Sequence, residues 1–322
     1  EKHSVRAADR KSPAAIMGAV RRCDLLISGG GSLLQDVTSK RSLLYYLAVI
    51  WAGYLLGKKV FIYSQGIGPI NLKMNRRLTA WTLRRASGVV VRDEASAEFL
   101  AQIGVPQGRI AVTADPVLRI KKAGLGSGRD ILAAEGFVKA PGKLTVGFAI
   151  REPKIQSEFV NELCLSIERL VDTYGAQVLL IPFHYSEDLP VIEEIERRLP
   201  EKVHAIKHKY LTEEMLSIIG SVDVLAGVRL HALIYAAVMD VPMIAISYDP
   251  KINSFMHSLG LKAMSAVNDF KCSYFMEEFE KTVENADGIR GKVRESVSAL
   301  IEKLDTNERM IGDLMQVARR GK

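Results

Sequence analysis

The stretch Asp223-Val-Leu-Ala-Gly227-Val-Arg229-Leu-His231, running on through Ala-Leu-Ile-Tyr-Ala-Ala-Val to Met239, decides the fold class. Its first part is a short, continuous apolar run, the signature of a strand buried on both faces; Leu230 to Met239 reads as a helix. A buried strand passing directly into a helix is half of a parallel βαβ unit. The same alternation recurs along the chain. Strands are expected at Cys23–Ser28, Val60–Ser64, Gly88–Val91 and Ile110–Thr113, and then at Lys143–Ile150, Gln177–Ile181, Val203–Ile206, Asp223–Ala226 and Met243–Ser247. Amphipathic stretches such as Ser157–Tyr174 and Asp188–Leu199 lie between them.

These elements predict an α/β protein of two doubly wound, Rossmann-like domains facing a cleft, with ligands at the carboxyl ends of the strands. The Gly- and Lys-rich segment Arg119–Lys143, with Gly124-Leu-Gly126-Ser-Gly128 in it, marks the domain boundary. The expected domains are therefore residues 1–124 and 125–322, the second ending in an amphipathic helix over Arg290–Arg320 that packs back across the hinge. No internal repeat of fixed period is visible.

At 322 residues the chain has the length of two domains, and its 48% hydrophobic content excludes a disordered or low-complexity protein. Three widely spaced cysteines without a CxxC pair exclude a disulfide framework and a cysteine-rich zinc site, and indicate a reducing compartment. No H-x-H or H-x-x-x-H pair sits on a helix: His204 and His208 fall on a strand end and loop, so no metal site is expected.

The net charge of +7 is unevenly spread. Between Asp36 and Asp93 there is no acidic residue and there are ten bases, which makes that interval +10 and the rest of the chain 7 − 10 = −3. Such asymmetry points to an anionic partner met by one region: nucleic acid, phospholipid headgroups or a phosphorylated substrate. The same interval holds the longest apolar run, Ser42–Gly57, 16 residues and short of the ~20 that span a bilayer. It reads as a buried or membrane-surface helix. Glu1–Arg22 is polar and charged, without a signal-peptide pattern. The chain does not begin with Met.

Chemistry gathers at the strand ends. Cys23–Ser28 runs into Gly29-Gly30-Gly31-Ser32 and on to Asp36, expected as a glycine turn followed by a helix whose first amides face an anion. It is neither a G-x-G-x-x-G fingerprint nor a Walker loop. Val60–Ser64 exits into Gln65-Gly66-Ile67-Gly68-Pro69 on the same side of the sheet. Arg92-Asp93 follows the next strand and Asp115-Pro116 the one after; Asp93 reads equally well as a helix cap. In the second half, four strand ends deliver Arg151, His184, Arg229 with His231, and Lys251. Guanidinium groups suit bidentate binding of carboxylate or phosphate, and histidine suits proton transfer near neutral pH. With the helix start at Leu230 beside them, they predict an anionic substrate and acid–base chemistry.

With these motifs in order, the chain resembles the polysaccharide pyruvyl transferase family, most closely its CsaB-type members of secondary cell-wall polymer synthesis. The residues that carry the resemblance are Gly29-Gly-Gly-Ser-Leu-Leu-Gln-Asp36, Gln65-Gly-Ile-Gly-Pro69, Val91-Arg-Asp-Glu-Ala-Ser96, Ala114-Asp-Pro116, Ile181-Pro-Phe-His184, Gly227-Val-Arg-Leu-His231 and Tyr248-Asp-Pro-Lys251. They cover about residues 20–260; Arg-Leu-His and the triple glycine are the most specific. The opening strand and Gly-Asn-rich loop of family members has no counterpart, so the first βα units are expected to be absent.

The resemblance implies a GT-B-like fold, no cofactor, and phosphoenolpyruvate as donor. The acceptor would be a hexosamine, N-acetylmannosamine, of a lipid-linked saccharide, converted to its 4,6-pyruvate ketal in cell-wall synthesis for S-layer anchoring. Arg229, Arg151, Lys251 and the helix start at Leu230 would then bind the donor, and His231 or His184 would protonate its methylene carbon. Asp93 or Asp36 would deprotonate the acceptor hydroxyl, with Arg92, Gly29, Gly30, Gly31, Ser32, Gln65 and Gly66 on the acceptor side. The acceptor lipid and the basic interval together suggest a cytoplasmic enzyme resting on the anionic inner face of the plasma membrane. Two alternatives stand beside this. One is a GT-B glycosyltransferase using a nucleotide sugar, whose Glu-x7-Glu pair is not found in the expected place. The other is a basic membrane or nucleic-acid binding module; since an interleaved aromatic platform is missing, no nucleic-acid partner is expected. The oligomeric state is not legible.

Overall fold

The computed structural model describes residues 5–37, 40–151 and 157–320. The chain forms two compact units, Glu1–Pro116 with Leu300–Lys322, and Val117–Ala299. The first is built on β1 (Leu25–Gly29), β2 (Lys59–Gln65), β3 (Gly88–Val91) and β4 (Ile110–Val112), all parallel in the order β1-β2-β3-β4. The second is built on β5 (Thr145–Ala149), β6 (Gln177–Leu180), β7 (Val203–Ala205), β8 (Val224–Gly227) and β9 (Met243–Ala245), parallel in the order β7-β6-β5-β8-β9. The helices of the chain are α1 (Pro13–Arg22), α2 (Lys40–Leu55), α3 (Lys73–Leu83), α4 (Glu94–Gln102), α5 (Leu125–Ala134), α6 (Ser157–Tyr174), α7 (Tyr185–Arg198), α8 (Thr212–Gly220), α9 (Leu230–Val238), α10 (Pro250–Ser258), α11 (Cys272–Glu284) and α12 (Ala286–Arg320).

The strands form where continuous apolar runs are shielded on both faces. Every residue of β3, β5 and β8 is buried, as parallel sheets require. On α6, Phe159, Leu163, Ile167 and Leu170 recur at helical spacing and are all buried, in one cluster with β5, β6 and α11. Each such side chain contributes roughly 1.5–3 kcal/mol by leaving water. In the first unit, Leu43, Leu47 and Ile50 of α2 pack on β2 and β3 through Val60, Ile62 and Val89.

The second sheet reverses its strand order between β5 and β8, which opens a ligand crevice at their carboxyl ends. The first sheet runs in sequence order through its four described strands. The end of α12 belongs to the first unit: Asn307, fully buried, donates from Nδ2 to Ser64 Oγ at 2.7 Å.

The boundary falls at Pro116/Val117, not at Gly124, and residues 300–322 leave the second domain for the first. Lys122 pairs with Asp240, and Gly124 O accepts from Ser217 Oγ at 3.1 Å, so the segment before α5 is already tied to the second unit. Gly126 and Gly128, expected in a linker, lie within α5. A Cβ on Gly128 would stand 2.1 Å from the backbone oxygen of Ser217, so the glycine permits the close approach of α5 to α8.

Candidate functional site

Although separated by up to 100 positions, the six residues expected to bind and protonate the donor line one pocket of about 350 Å³ in the second unit: Arg151, His184, Arg229, Leu230, His231 and Lys251. They follow β5, β6, β8 and β9, which are neighbours in the sheet because the intervening β7 lies at its edge. Phe183, Tyr235 and Tyr248 supply aromatic walls, and the Arg151 guanidinium lies 5.5 Å from the centre of the Tyr248 ring. Leu230 and His231 form the first turn of α9, whose N-cap residue Arg229 makes no side-chain cap. Lys251 sits in the first turn of α10, where Asp249 caps by accepting from Lys251 N at 2.9 Å.

Two carboxylates organise these cations. Asp188 has no exposed side-chain surface; its Oδ2 accepts the backbone N–H groups of Phe183 at 2.9 Å and His184 at 2.8 Å, while Oδ1 accepts from Arg229 Nη2. One buried charge thereby fixes both a guanidinium and the loop that carries a histidine. Glu187 is more open and lies 3.3 Å from Arg229 Nη2, 3.7 Å from Arg151 Nη2 and 3.6 Å from His184 Nδ1. Burial pushes its carboxyl up, but the hydrogen bond from Arg229 and the charges of His184 and Arg151 outweigh that and hold it below the usual carboxylate range. A carboxylate thus occupies the point where two guanidinium groups and an imidazole converge. The Nε atoms of Arg151 and Arg229 are buried without a hydrogen-bond partner, so each guanidinium keeps unused donor capacity.

In the first unit, Gly29, Gly30, Gly31, Ser32, Gln65, Gly66 and Arg92 also come together. Gly30 and Gly31 take positive φ of 75° and 61°, and Gly31 O accepts from Gly66 N at 2.9 Å. Arg92 is buried; it donates from Nη1 to Asp115 at 2.7 Å and from Nη2 to Ser32 Oγ at 3.2 Å. A Cβ on Gly66 would stand 2.8 Å from the Arg92 guanidinium, so that glycine makes room for the arginine. Gln65 donates to Ser28 O at 2.8 Å, and its buried Oε1 has no partner.

One expectation changes here, and the two candidate bases have structural contacts of their own. The glycine turn leads not into a helix but into an irregular loop through Val37, with α2 beginning at Lys40. Asp36 is buried and its oxygens accept from Asn71 N (2.7 Å), Leu72 N (3.1 Å) and Asn75 Nδ2 (2.9 Å). These contacts anchor the loop that carries Asp36. Asp93 is the N-cap of α4, accepting from Ser96 N at 2.8 Å, with its other oxygen 3.5 Å from Arg92 Nε. Conversely, Asp188, Glu187 and Asn307 make contacts that the sequence did not reveal. The acidic pair in the turn after His184 was the available signal for the first two; nothing local marks Asn307. Among the described residues, no cluster of three His, Cys, Asp or Glu side chains could hold a metal ion.

The amylovoran biosynthesis protein AmsJ of Erwinia amylovora is 19% identical over 298 residues, covering 86% of this chain and 70% of that protein. Two solved structures share the fold at low identity. Anabaena HepE in complex with UDP and glucose matches with a TM-score of 0.63 at 11% identity, over 94% of this chain and 81% of that one. UDP-GlcNAc 2-epimerase from Neisseria meningitidis bound to UDP-GlcNAc matches with a TM-score of 0.58 at 15% identity, over 91% and 81%. These likenesses show a GT-B-like α/β fold of two Rossmann-like units. The sequence model of the polysaccharide pyruvyl transferases matches residues 2–250, more than three quarters of the chain. The protein is a member of the polysaccharide pyruvyl transferase family.

Proposed function

We propose that the second-unit pocket binds phosphoenolpyruvate and that the chain transfers its pyruvyl group to a hexosamine of a lipid-linked saccharide, as a 4,6-ketal. The observation that carries this reading is the convergence of Arg151, Arg229, Lys251, His184 and His231 on one pocket at the switch point of the sheet. A donor with one phosphate and one carboxylate would be held there by charge-assisted bonds, taking over the contacts that Glu187 makes with Arg151 and Arg229. His231 or His184 donates a proton to the methylene carbon, which becomes a methyl group and leaves the central carbon cationic. A sugar hydroxyl adds to that carbon and gives up its proton to a base. The second hydroxyl then adds as the C–O bond to phosphate breaks, and its proton leaves with inorganic phosphate. For the base, Asp93 is favoured over Asp36, since both oxygens of Asp36 already accept hydrogen bonds from the segment 71–75. The glycine loop and Gln65 of the first unit are assigned to the acceptor. We further place the reaction in secondary cell-wall polymer synthesis, with N-acetylmannosamine as the acceptor sugar.

Incubation with phosphoenolpyruvate and a synthetic lipid-linked disaccharide, followed by mass measurement, tests this. Phosphate release with a ketal-sized gain on the acceptor is expected; no gain with any hexosamine acceptor would sink the reading. Because HepE and the epimerase were solved with UDP or UDP-sugars, a nucleotide-sugar glycosyltransferase is the second reading, and donor binding separates the two.

A further inference from the structure

α2 lies between α1 and α3 and touches both. Its inner side is core, with Leu43, Leu47 and Ile50 buried. Its outer side is apolar as well, which packing does not require. Leu44 is 42% and Leu55 81% exposed, with exposed Ala48 between them at helical spacing on the same face. Towards α1, the helix walls a cavity of about 720 Å³ lined by apolar groups such as Ile16, Met17 and Val49, and its charged lining residues are all cations: Arg10, Lys11 and Arg41.

Towards α3 stands an aromatic platform. Trp51 and Trp81 stack with ring centroids 4.0 Å apart, and the Arg85 guanidinium lies 5.1 Å from one ring and 4.7 Å from the other. Trp81 is nearly half exposed, and its neighbours on the outer side of α3 include exposed Met74, Arg77 and Arg84. The whole interval between Asp36 and Asp93 supplies no carboxylate to balance these bases.

We propose that the outer face of α1, α2 and α3 docks on an anionic lipid bilayer. The apolar stripe and cavity would take acyl chains, the tryptophans would sit at headgroup level, and the arginines and lysines would meet lipid phosphates. Charge complementarity selects this occupant. A second copy of the chain would present the same positive surface, and a nucleic acid, though it could stack on the tryptophans that the fold brings together, would leave the exposed Leu44 and Leu55 uncovered. The proposal deepens the reading of a lipid-linked acceptor but is measured without substrate, so either can fail while the other stands.

The test is flotation of the full chain with phosphatidylcholine vesicles, with and without phosphatidylglycerol. Binding to the anionic vesicles is expected to be at least about tenfold tighter and to weaken with salt, because headgroup attraction is screened. Both tryptophans of the chain sit on this face, so their emission should shift to the blue on binding. The double variant Leu44→Asp with Leu55→Asp changes two exposed positions; it should keep the wild-type melting temperature and lose about tenfold or more of vesicle affinity. Absence of binding to anionic vesicles, undiminished binding by the folded double variant, or an unmoved emission would each overturn the proposal.

Discussion

Asp188 carries its charge without any contact with solvent because the Arg229 guanidinium and two backbone amides hold it there. Asp188→Ala would leave Arg229 in a largely enclosed site with only the more exposed Glu187 as partner and release the loop bearing His184. Breaking such a pair costs about 3–5 kcal/mol when burial is complete; a loss near the lower end is expected in urea titration, together with a raised KM for phosphoenolpyruvate. Glu187 is a different case, since it contacts Arg151 and Arg229 and would compete with the proposed donor for them. Glu187→Gln should lower KM for the donor and leave kcat near wild type; a KM that rises tenfold would show instead that Glu187 assists binding. For the general acid, His231→Ala should cost roughly 10²–10⁴ in turnover with donor bound. Wild-type turnover in that variant moves the role to His184.

At the scale of elements, two local arrangements make measurable claims. The α5–α8 contact depends on Gly128, where a Cβ would meet Ser217 O at 2.1 Å and Ser221 Oγ at 2.5 Å. Helix propensity alone favours alanine at that position, yet Gly128→Ala should destabilise by about 1–3 kcal/mol through overpacking, read as a lowered melting temperature. Glu135, at the C-cap of α5, accepts from Tyr210 Oη at 2.6 Å, from the backbone amides of Lys207 and His208, and faces the His208 ring. Burial pushes its carboxyl up, but these hydrogen bonds outweigh that and hold it below the usual range. Because the folded value is depressed, its stabilisation is complete above the unfolded carboxylate value and fades as pH falls through the folded one. The stability gap between wild type and Glu135→Gln, measured by denaturant midpoints, should therefore be open at neutral pH and close in acid.

For the whole molecule, donor identity is the sharpest question. A ligand present at a hundred times its Kd stabilises the state that binds it by about 2.7 kcal/mol, roughly 5–10 °C in a unit of this size. Phosphoenolpyruvate should produce such a shift, and UDP- or CDP-sugars should not; the reverse pattern would favour the nucleotide-sugar reading. No helix among the described residues is long and apolar enough to cross a membrane. Attachment to a bilayer through the first unit would therefore be peripheral, and reversible by salt.

The nine described strands could be read from the sequence: β3, β5, β8 and β9 are buried at every residue and are written as short apolar runs, while the less buried β1, β4 and β7 stand out by their place in the same strand–helix alternation. The polar residues of the second-unit pocket were legible for a related reason: a polar residue directly after such a run must stand at the carboxyl edge of a parallel sheet. What the sequence could not decide is which strand ends are neighbours, since β7 intervenes in the chain but lies at the sheet edge. Nor could it assign carboxylates to roles. Asp36, Asp93 and Asp188 look alike as letters, but hydrogen-bond donors brought from distant segments make the first a loop anchor and the third the clamp on Arg229, while Asp93 caps its own helix beside Arg92. The return of Asn307 to Ser64, 243 residues away, and the glycines that read as a linker but pack a helix, belong to the same class. Periodicity and burial are local properties of a chain, whereas partnership is fixed only when the chain has closed on itself.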